Sequence, residues 1–257
     1  MSYQEILYEK KGPIAYLTLN RPHKLNAMNV TMLEDIADAV EDFESDQSAW
    51  IMILTGTGRS FCTGRDVSMF RDRMRAPEKA LTKRTVGPPF LSAIKSGKPI
   101  IAAVQGHVLG LGIMLASECT ILVASETAQF GMNEVKRSVS GASAWARITQ
   151  WIPSKIATEM AVTGDLISGE LAHTFGLVNK VTTEENLLSE AETIARKILA
   201  APPLAVGATV QAIRNNSSNA INNRTARNPL TNLETTQDYQ EAINAFLEKR
   251  SPQFKGK

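Results

Sequence analysis

Two glycine-containing segments and one glutamate are the residues of this chain whose types and spacing could do chemistry. Ser60–Asp66 follows an apolar strand and turns at a glycine, and Pro99–Gly112 repeats that pattern before a helix begins. Backbone N–H groups at two such strand ends can point into one pocket, where a helix N-terminus adds partial positive charge. Such a pocket suits a carbonyl oxygen that becomes an oxyanion, and Glu134, at the end of Phe130–Glu134, could carry out proton transfer.

Strands and helices in alternation must position these segments. A β-hairpin is predicted from Ile6–Lys10 and Ile14–Leu19, and an amphipathic helix near Val30–Ser45. Continuous apolar runs at Trp50–Gly56 and Ile100–Val104 are typical of strands covered on both faces. The other predicted elements are strands at Ile121–Ala124, Gln129–Gly131 and Leu177–Val181, a helix or mobile loop at Pro77–Ser96, and helices near Gly110, from Pro153 to Gly164, and at Glu184–Ala200, Pro203–Asn215 and Leu233–Lys249.

This alternation indicates an α/β fold with parallel strand pairing. After about residue 184 the pattern predicts helices only. We therefore predict an α/β core at residues 1–195, which holds the site, and a helical C-terminal region at residues 196–257. No Gly- or Ser-rich linker separates the two, so the second region is expected to pack on the core or on a neighbouring subunit.

Composition and charge favour an ordinary globular protein. Hydrophobic residues make up 43% and charged residues 21% of the 257, and the formal net charge of +2 gives no electrostatic case for nucleic acid or a membrane surface. The first residues lack the apolar core of a signal peptide, and no run approaches the ~18 apolar residues of a membrane span. We therefore expect a cytoplasmic protein.

Cysteine and histidine usage argues against a disulfide framework and against a metal site. The only cysteines, Cys62 and Cys119, are predicted to be reduced, and a small buried thiol is the preferred interpretation of Cys62 over a nucleophile. The three histidines, His23, His107 and His173, are widely separated and lack metal-ligand spacing. We expect neither a metal nor a separate cofactor.

The chain resembles the crotonase (enoyl-CoA hydratase/isomerase) family over nearly its whole length. The two glycine segments and Glu134 carry the resemblance together with Leu19–Ala27, Ala172–Val181 and Phe246–Gly256, in order and spacing rather than by any one piece. It implies a spiral of ββα units with a helical C-terminal oligomerisation region. It also implies an acyl-CoA thioester as substrate, coenzyme A being part of that substrate, and assembly as a homotrimer or as a hexamer (a dimer of trimers).

Carried over residue by residue, the resemblance implies that the backbone N–H groups of Arg65 and Leu111 form the oxyanion hole. Both groups are main chain, so these side chains, where the family usually has Ala and Gly, need not abolish it. The resemblance implies substrate or CoA binding by Lys24, Leu25, Gly64, Asp66, Val67, Ser68, Gly110, Met114 and Gly141, and contact with the CoA of a neighbouring subunit by Phe254 and Lys255.

Two of these positions have alternative interpretations. The Arg65 side chain could reach a CoA phosphate or a substrate carboxylate, or it could be a solvated loop arginine. Asp66 could cap a turn or a helix instead of contacting a ligand. Gly64 and Gly110 are expected to allow the tight turns that point the two amides inward.

One departure from the family pattern bears on mechanism. Hydratases of the family carry two glutamates, and Met114 occupies the first of these positions, where a thioether can neither take a proton nor orient water as a carboxylate does. Glu118 lies one helical turn further on and is the alternative candidate for that carboxylate. The segment 135–142 is also about one residue shorter than is usual in the family, a difference that can change the direction in which the Glu134 side chain points.

One carboxylate beside an oxyanion hole suffices to move a double bond. Glu134 could remove a proton from one carbon of a thioester enolate and return it to another. That is the logic of the family's Δ3-Δ2-enoyl-CoA isomerases, which resemble this chain in having a lone glutamate at this position. The prediction from the sequence is therefore isomerase-type chemistry, with Met114 shaping the acyl pocket.

Several alternatives stay open at this point. The first is an enoyl-CoA hydratase or dehydratase whose water is held by Glu118 or by the substrate. The others are a C–C lyase, decarboxylase or thioesterase, and a non-catalytic relative that binds CoA or RNA. The basic residues Lys79, Lys83, Arg84 and Lys95 are sparse and lack interleaved aromatics, which argues against RNA. Selectivity for the acyl group is expected to depend on Met69–Leu91.

Overall fold

Two β-sheets and a set of helices build the part of the chain that the computed structural model describes, namely residues 3–68, 88–137, 141–216 and 233–257. The strands are β1 (Ile6–Lys11), β2 (Ile14–Leu19), β3 (Ile51–Gly56), β4 (Ile100–Val104), β5 (His107–Leu109), β6 (Ile121–Ser125), β7 (Gln129–Gly131), β8 (Ile167–Ser168) and β9 (Lys180–Thr182). The α-helices are α1 (Val30–Ser45), α2 (Leu111–Glu118), α3 (Ala142–Ile148), α4 (Ser154–Thr163), α5 (Gly169–Phe175), α6 (Leu187–Leu199), α7 (Pro203–Asn216) and α8 (Gln237–Glu248).

The larger sheet has six strands in the order β1-β2-β3-β4-β6-β9. β1 and β2 form the predicted antiparallel hairpin, and every later neighbour pair is parallel. In β3, Met52 and Leu54 pack with the apolar face of α1, while Ile51 and Ile53 pack with α6. The predictions of parallel pairing and of strands covered on both faces are therefore confirmed.

The smaller sheet has the strand order β5-β7-β8. Its strands β5 and β7 lead directly to the second glycine turn and to Glu134. β4 runs into β5 through the turn at Gln105 and Gly106, and β6 runs into β7 in the same way, so two neighbouring strands each continue into the second sheet. β5 and β7 are parallel, with Leu109 opposite Gly131. Residues that follow these two strands are thus brought to the same edge.

Several element boundaries differ from the sequence prediction. The strand predicted at Leu177–Val181 starts only at Lys180, because the amides of Leu177 and Val178 bond the Ala172 carbonyl and close α5. β5, β8 and α5 were not predicted, since strands of three and two residues and a seven-residue helix carry little periodicity. Of the helix or loop predicted at Pro77–Ser96, residues 77–87 lie outside the described residues, and 88–96 form no helix.

Helix α7 approaches the backbone before β4 very closely. A Cβ atom built on Gly207 would lie 2.6 Å from the Ser96 carbonyl oxygen. Alanine in place of glycine ordinarily stabilises an exposed helix interior by up to ~1 kcal/mol. At position 207 the close approach to Ser96 should reverse this, so that alanine destabilises the protein. The glycine is the residue that lets α7 dock.

Gly207→Ala is therefore expected to lower the free energy of unfolding by about 1–3 kcal/mol through overpacking against Ser96. Urea denaturation of both proteins measures the change. Ala212→Gly, at an exposed position of the same helix, serves as control, because it measures the difference in helix propensity between alanine and glycine without a packing effect. A stability gain in Gly207→Ala would contradict the close docking.

Candidate active site

The first glycine segment changes its hydrogen-bonding partner halfway along. Cys62 pairs with β5: its amide bonds the His107 carbonyl at 3.0 Å, and its carbonyl accepts from the Leu109 amide at 2.9 Å. The chain then turns at Gly64, whose φ of +99° lies in the region that glycine adopts without strain. These bonds seat the segment beside the strand that leads into the second glycine turn.

Beyond the turn, Arg65 is held from its two flanks. The Met28 amide donates to the Gly64 carbonyl at 2.8 Å, and the Asp66 amide donates to the Met28 carbonyl at 2.9 Å. In a parallel bridge of this kind, the flanking residues bond the partner strand and the central residue turns its own N–H to the opposite side. The Arg65 amide therefore points away from Met28.

The second glycine segment lies directly against the first. Gly110, with φ +53°, donates its N–H to the Gly131 carbonyl at 3.1 Å, and Leu111 opens α2. A Cβ atom built on Gly64 would lie 3.5 Å from the Leu111 amide nitrogen, and one built on Gly110 would lie 3.4 Å from the Gly64 Cα. Because the first amides of a helix have no acceptor within it, Leu111 contributes an N–H donor at this junction.

Glu134 reaches the same junction from β7. Pairing of β7 with β5 places Gly131 opposite Leu109, and the buried Met132 leads to Glu134 at the start of a 3-10 helix. A Cβ atom built on Gly110 would lie 2.5 Å from Glu134 Oε1. Glu134 Oε2 is buried and has no hydrogen-bond partner among the described residues. Burying a carboxylate oxygen without a hydrogen bond lowers the stability of a protein, and buried polar atoms are therefore usually paired. An unpaired one is explained when the group takes part in a reaction.

Met114 and Glu118 have different surroundings. Met114 is buried in α2, and its amide bonds the Gly110 carbonyl at 3.2 Å. The Glu118 carboxylate accepts the Leu91 amide at 3.0 Å and lies 3.5 Å from Arg147 Nη1 in α3. Burial raises the pKa of the Glu118 carboxyl. Glu118 thus joins α2 to α3 and to the segment before β4.

Asp66 takes the capping role that the sequence left open. Its Oδ1 accepts the Ser68 amide at 2.9 Å and the Ser68 hydroxyl at 2.8 Å, and its Oδ2 accepts from Arg21 at 2.6 Å. The carboxylate is engaged within the chain, and its contact with CoA stays a prediction, as do the roles of the exposed Val67 and of Ser68.

The loop that contains Lys24 and Leu25 borders the first glycine segment. Lys24 ends a 3-10 helix, and the Leu25 carbonyl accepts the Thr63 amide at 3.2 Å. Gly141 is the N-cap residue that precedes α3, and a Cβ atom built on it would lie 3.9 Å from the Met132 Cε. The roles of Lys24, Leu25 and Gly141 in binding CoA stay predictions.

The C-terminal tail folds back on its own chain. The Lys255 and Gly256 amides donate to the buried Asp238 carboxylate at the start of α8, at 2.7 and 2.8 Å. Phe254 is half-buried in this tail. Contact of Phe254 and Lys255 with a neighbouring subunit's CoA stays a prediction.

The cysteines are unsuited to nucleophilic catalysis. Burial raises the pKa of the Cys62 thiol to about 12 and also raises the pKa of the Cys119 thiol. A thiol that stays protonated is a poor nucleophile. The interpretation of Cys62 as a small buried thiol is confirmed, and both cysteines are free.

Three buried or half-buried polar residues support the glycine turns and were not predicted as site residues. Asn26 donates to the Thr57 and Ser60 carbonyls, both at 2.9 Å. Gln105 donates to the carbonyls of Gly56, at the end of β3, and of Gly58, in the loop that follows, and Arg21 pairs with Asp66. The only sequence signal was the position of Asn26 and Arg21 in short stretches that carry the family resemblance.

The described ranges offer neither a ready-made metal site nor a helix suited to a bilayer. No group of three or more His, Cys, Asp or Glu side chains there is arranged to hold a metal ion. None of the helices in those ranges combines the length and apolar character needed to cross a bilayer.

Comparison with known proteins places this geometry in a family. The sequence profile of the family described as enoyl-CoA hydratase/isomerase matches residues 9–257. The chain is 34% identical to (E)-benzylidenesuccinyl-CoA hydratase of Thauera aromatica over 98% of this chain and 99% of that relative. It is 33% identical to 2,3-dehydroadipyl-CoA hydratase of Escherichia coli, with 98% and 99% covered.

The fold agrees with these sequence matches. The crystal structure of enoyl-CoA hydratase from Mycobacterium tuberculosis H37Rv superimposes with a TM-score of 0.87 at 34% identity, covering 98% of this chain and 99% of that one. The crotonase-type α/β fold expected from the resemblance is thereby confirmed. On the family profile, the relatives and the fold together, the chain belongs to the enoyl-CoA hydratase/isomerase (crotonase) family.

Proposed function

We propose that this protein holds an acyl-CoA thioester with its carbonyl oxygen at the Arg65 and Leu111 amides and uses Glu134 to transfer the proton. The observation that carries the proposal is the contact between the Glu134 carboxylate and Gly110, the residue before Leu111. The unpaired Oε2 of Glu134 supplies an acceptor there. Two amides that stabilise an enolate make the carbon next to the thioester easier to protonate or deprotonate.

Hydration of a 2-enoyl-CoA is the reaction that the comparisons favour. The relatives above are named hydratases, which supports the alternative weighed from the sequence over the isomerase preferred there. One carboxylate can serve both halves of this reaction. Glu134 accepts a proton from water as the water oxygen bonds C3, the electron pair moves to the thioester oxygen, and protonated Glu134 returns the proton to C2.

Double-bond migration is a second candidate, and Met114 favours it. A buried thioether stands where hydratases of the family have their first glutamate, so the site is poorer in groups that orient water. In this reaction Glu134 removes a proton from C2 of a 3-enoyl-CoA, and the resulting dienolate takes the proton back at C4. The net change is migration of the double bond with no water added.

Isotope labelling separates the two reactions. Purified protein is given crotonyl-CoA in H2¹⁸O and a 3-enoyl-CoA in D2O, and the products are analysed by mass spectrometry. Rapid ¹⁸O uptake at C3 supports hydration. Deuterium incorporation with double-bond migration but without ¹⁸O uptake supports isomerisation, and the absence of both would contradict the proposal.

Glu118→Gln is expected to change kcat less than about threefold while lowering thermal stability, because its carboxylate holds Leu91 and Arg147. Steady-state kinetics and a thermal melt of the same preparation measure both effects. A loss of about 10²-fold in kcat at unchanged KM would contradict this, and would make Glu118 the second carboxylate.

We also propose a homotrimer or a dimer of trimers. Four apolar side chains on one side of α8 are exposed: Tyr239, Ile243, Phe246 and Leu247, with Phe246 at 82%. Their spacing of three and four residues gives α8 an apolar stripe, which supports an interface between subunits. The mass of the particle in solution distinguishes trimer from hexamer, while the cytoplasmic location and the absence of a separate cofactor stay predictions.

A further inference from the structure

We propose that Arg21 is a positioning residue for the oxyanion hole: by holding Asp66, its guanidinium fixes the peptide that carries the Arg65 N–H. The inference rests on the proposed function, since it assigns a task to a residue remote from the reacting atoms. Arg21 lies in the loop after β2, forty-five positions from Asp66 in the chain. Nothing in its sequence position alone links it to the glycine turn.

The guanidinium of Arg21 touches both sides of the bridge at Arg65. Its Nη1 donates to Asp66 Oδ2 at 2.6 Å and to the Ala27 carbonyl at 2.9 Å, and its Nε lies 3.4 Å from Glu5 Oε2. The side chains of Arg21 and Asp66 are only 12% and 10% exposed. A charge-assisted bond of this length in a buried setting is among the stronger polar contacts in a protein.

The main chain is fastened at the same two places. Met28, one residue after Ala27, bonds the Gly64 carbonyl and the Asp66 amide, so the peptides on both sides of Arg65 depend on the position of residues 27 and 28. Arg21 therefore links the two strands of this bridge through side-chain bonds that run beside the backbone bonds. Its removal leaves Asp66 joined to this strand by the backbone bond to Met28 alone.

The Asp66 carboxylate also needs its partner for electrostatic reasons. Burial acts to raise the pKa of this carboxyl, but bonds from Ser68 and Arg21 outweigh burial and hold the pKa at about 2. Without Arg21, the buried Asp66 carboxylate would lose the cation that it shares with Glu5. We expect the segment around Asp66 to shift outward in response.

A small shift of this segment should affect the reaction more than binding. An N–H aimed at a developing oxyanion loses more interaction energy on misplacement than one aimed at a neutral carbonyl, because the negative charge develops in the transition state. Most of the contact between protein and CoA does not involve this amide. A positioning role therefore predicts a fall in kcat with little change in KM.

The test compares Arg21→Met with wild type. We expect kcat to fall about 10- to 100-fold, with KM within about threefold. Absorbance of bound 4-(dimethylamino)cinnamoyl-CoA gives a second readout, since hydrogen bonds to the thioester oxygen shift the band of this push–pull chromophore to the red. Arg21→Met is expected to lose most of the red shift, and Arg21→Lys to keep more of it.

Two further variants separate positioning from stability. Arg196→Met removes an arginine from an exposed ion pair with Glu192 and is the matched control, expected to change neither readout. Arg21→Met combined with Asp66→Asn removes the unpaired buried charge. We expect this double variant to regain thermal stability but not the red shift. If Arg21→Met alone does not fold, the double variant is compared with wild type in its place.

The outcomes are distinct. A folded Arg21→Met, or the double variant, that keeps the wild-type kcat and the full red shift overturns the positioning role while leaving the proposed function intact. A wild-type protein that gives neither turnover nor a red shift overturns the proposed function, and this inference with it. Loss of both readouts at near-normal KM supports the inference.

Discussion

Glu134→Gln is expected to lower kcat by about 10²-fold or more, the usual scale of general acid–base catalysis. Glutamine has nearly the shape of glutamate, so it can occupy the space beside Gly110, but its amide cannot accept and return a proton at neutral pH. The buried Oε2 has no hydrogen-bond partner in the described part of the chain, so the substitution breaks no observed bond at that atom. The loss should therefore be one of chemistry, with an unchanged melting temperature.

Steady-state kinetics with crotonyl-CoA, alongside a thermal melt, measures this effect. Glu159→Gln is the matched control, since Glu159 is exposed on α4 and the chemical change is the same. We expect this control to match wild type in both measurements. A loss smaller than tenfold in Glu134→Gln would remove Glu134 from the role of proton-transfer group.

Gly110→Ala is expected to reduce kcat by about 10²-fold, because the added methyl group would contact both the Glu134 carboxylate and the glycine turn at Gly64. The new Cβ would lie 2.5 Å from Glu134 Oε1 and 3.4 Å from the Gly64 Cα. The backbone at Gly110, with φ +53° and ψ −117°, is also one that alanine adopts only with strain. Relief of either conflict moves the carboxylate or the turn that presents the Leu111 amide.

Gly12→Ala separates backbone strain from the clash. Gly12, in the β1–β2 turn, has φ +59°, but a Cβ built on it meets nothing within 4 Å. This control should lose some stability and keep kcat. Activity near the wild-type level in Gly110→Ala would contradict the contact between Gly110 and Glu134.

The main elements of the fold could be predicted because their signals are local. The strands predicted from the apolar runs Trp50–Gly56 and Ile100–Val104 and the helix predicted from the spacing in Val30–Ser45 are confirmed nearly to the residue. The second sheet could not be predicted in full, because β5 and β8 have three and two residues. Its existence depends on pairing between strands that are far apart in the sequence. The proposed boundary near residue 195 stays a prediction.

The site could be predicted in part. The glycine segments and Glu134 were singled out from residue type and spacing with the help of the family resemblance, and the structure brings them into contact. Arg21 could not be found in this way, since its bond to Asp66 spans two loops. Helical periodicity placed Glu118 one turn from Met114, but only the folded chain gives it the Leu91 amide as partner.

Exchange of the C2 protons of butyryl-CoA in D2O tests the central claim most directly, because it needs only an oxyanion hole and a base and is independent of which enoyl-CoA reaction follows. Wild-type protein is predicted to incorporate deuterium at C2, as read by mass spectrometry, and Glu134→Gln to do so at least about 10²-fold more slowly. No exchange by the wild type, or equal exchange by the two proteins, would contradict enolate formation by Glu134 at the Arg65 and Leu111 amides.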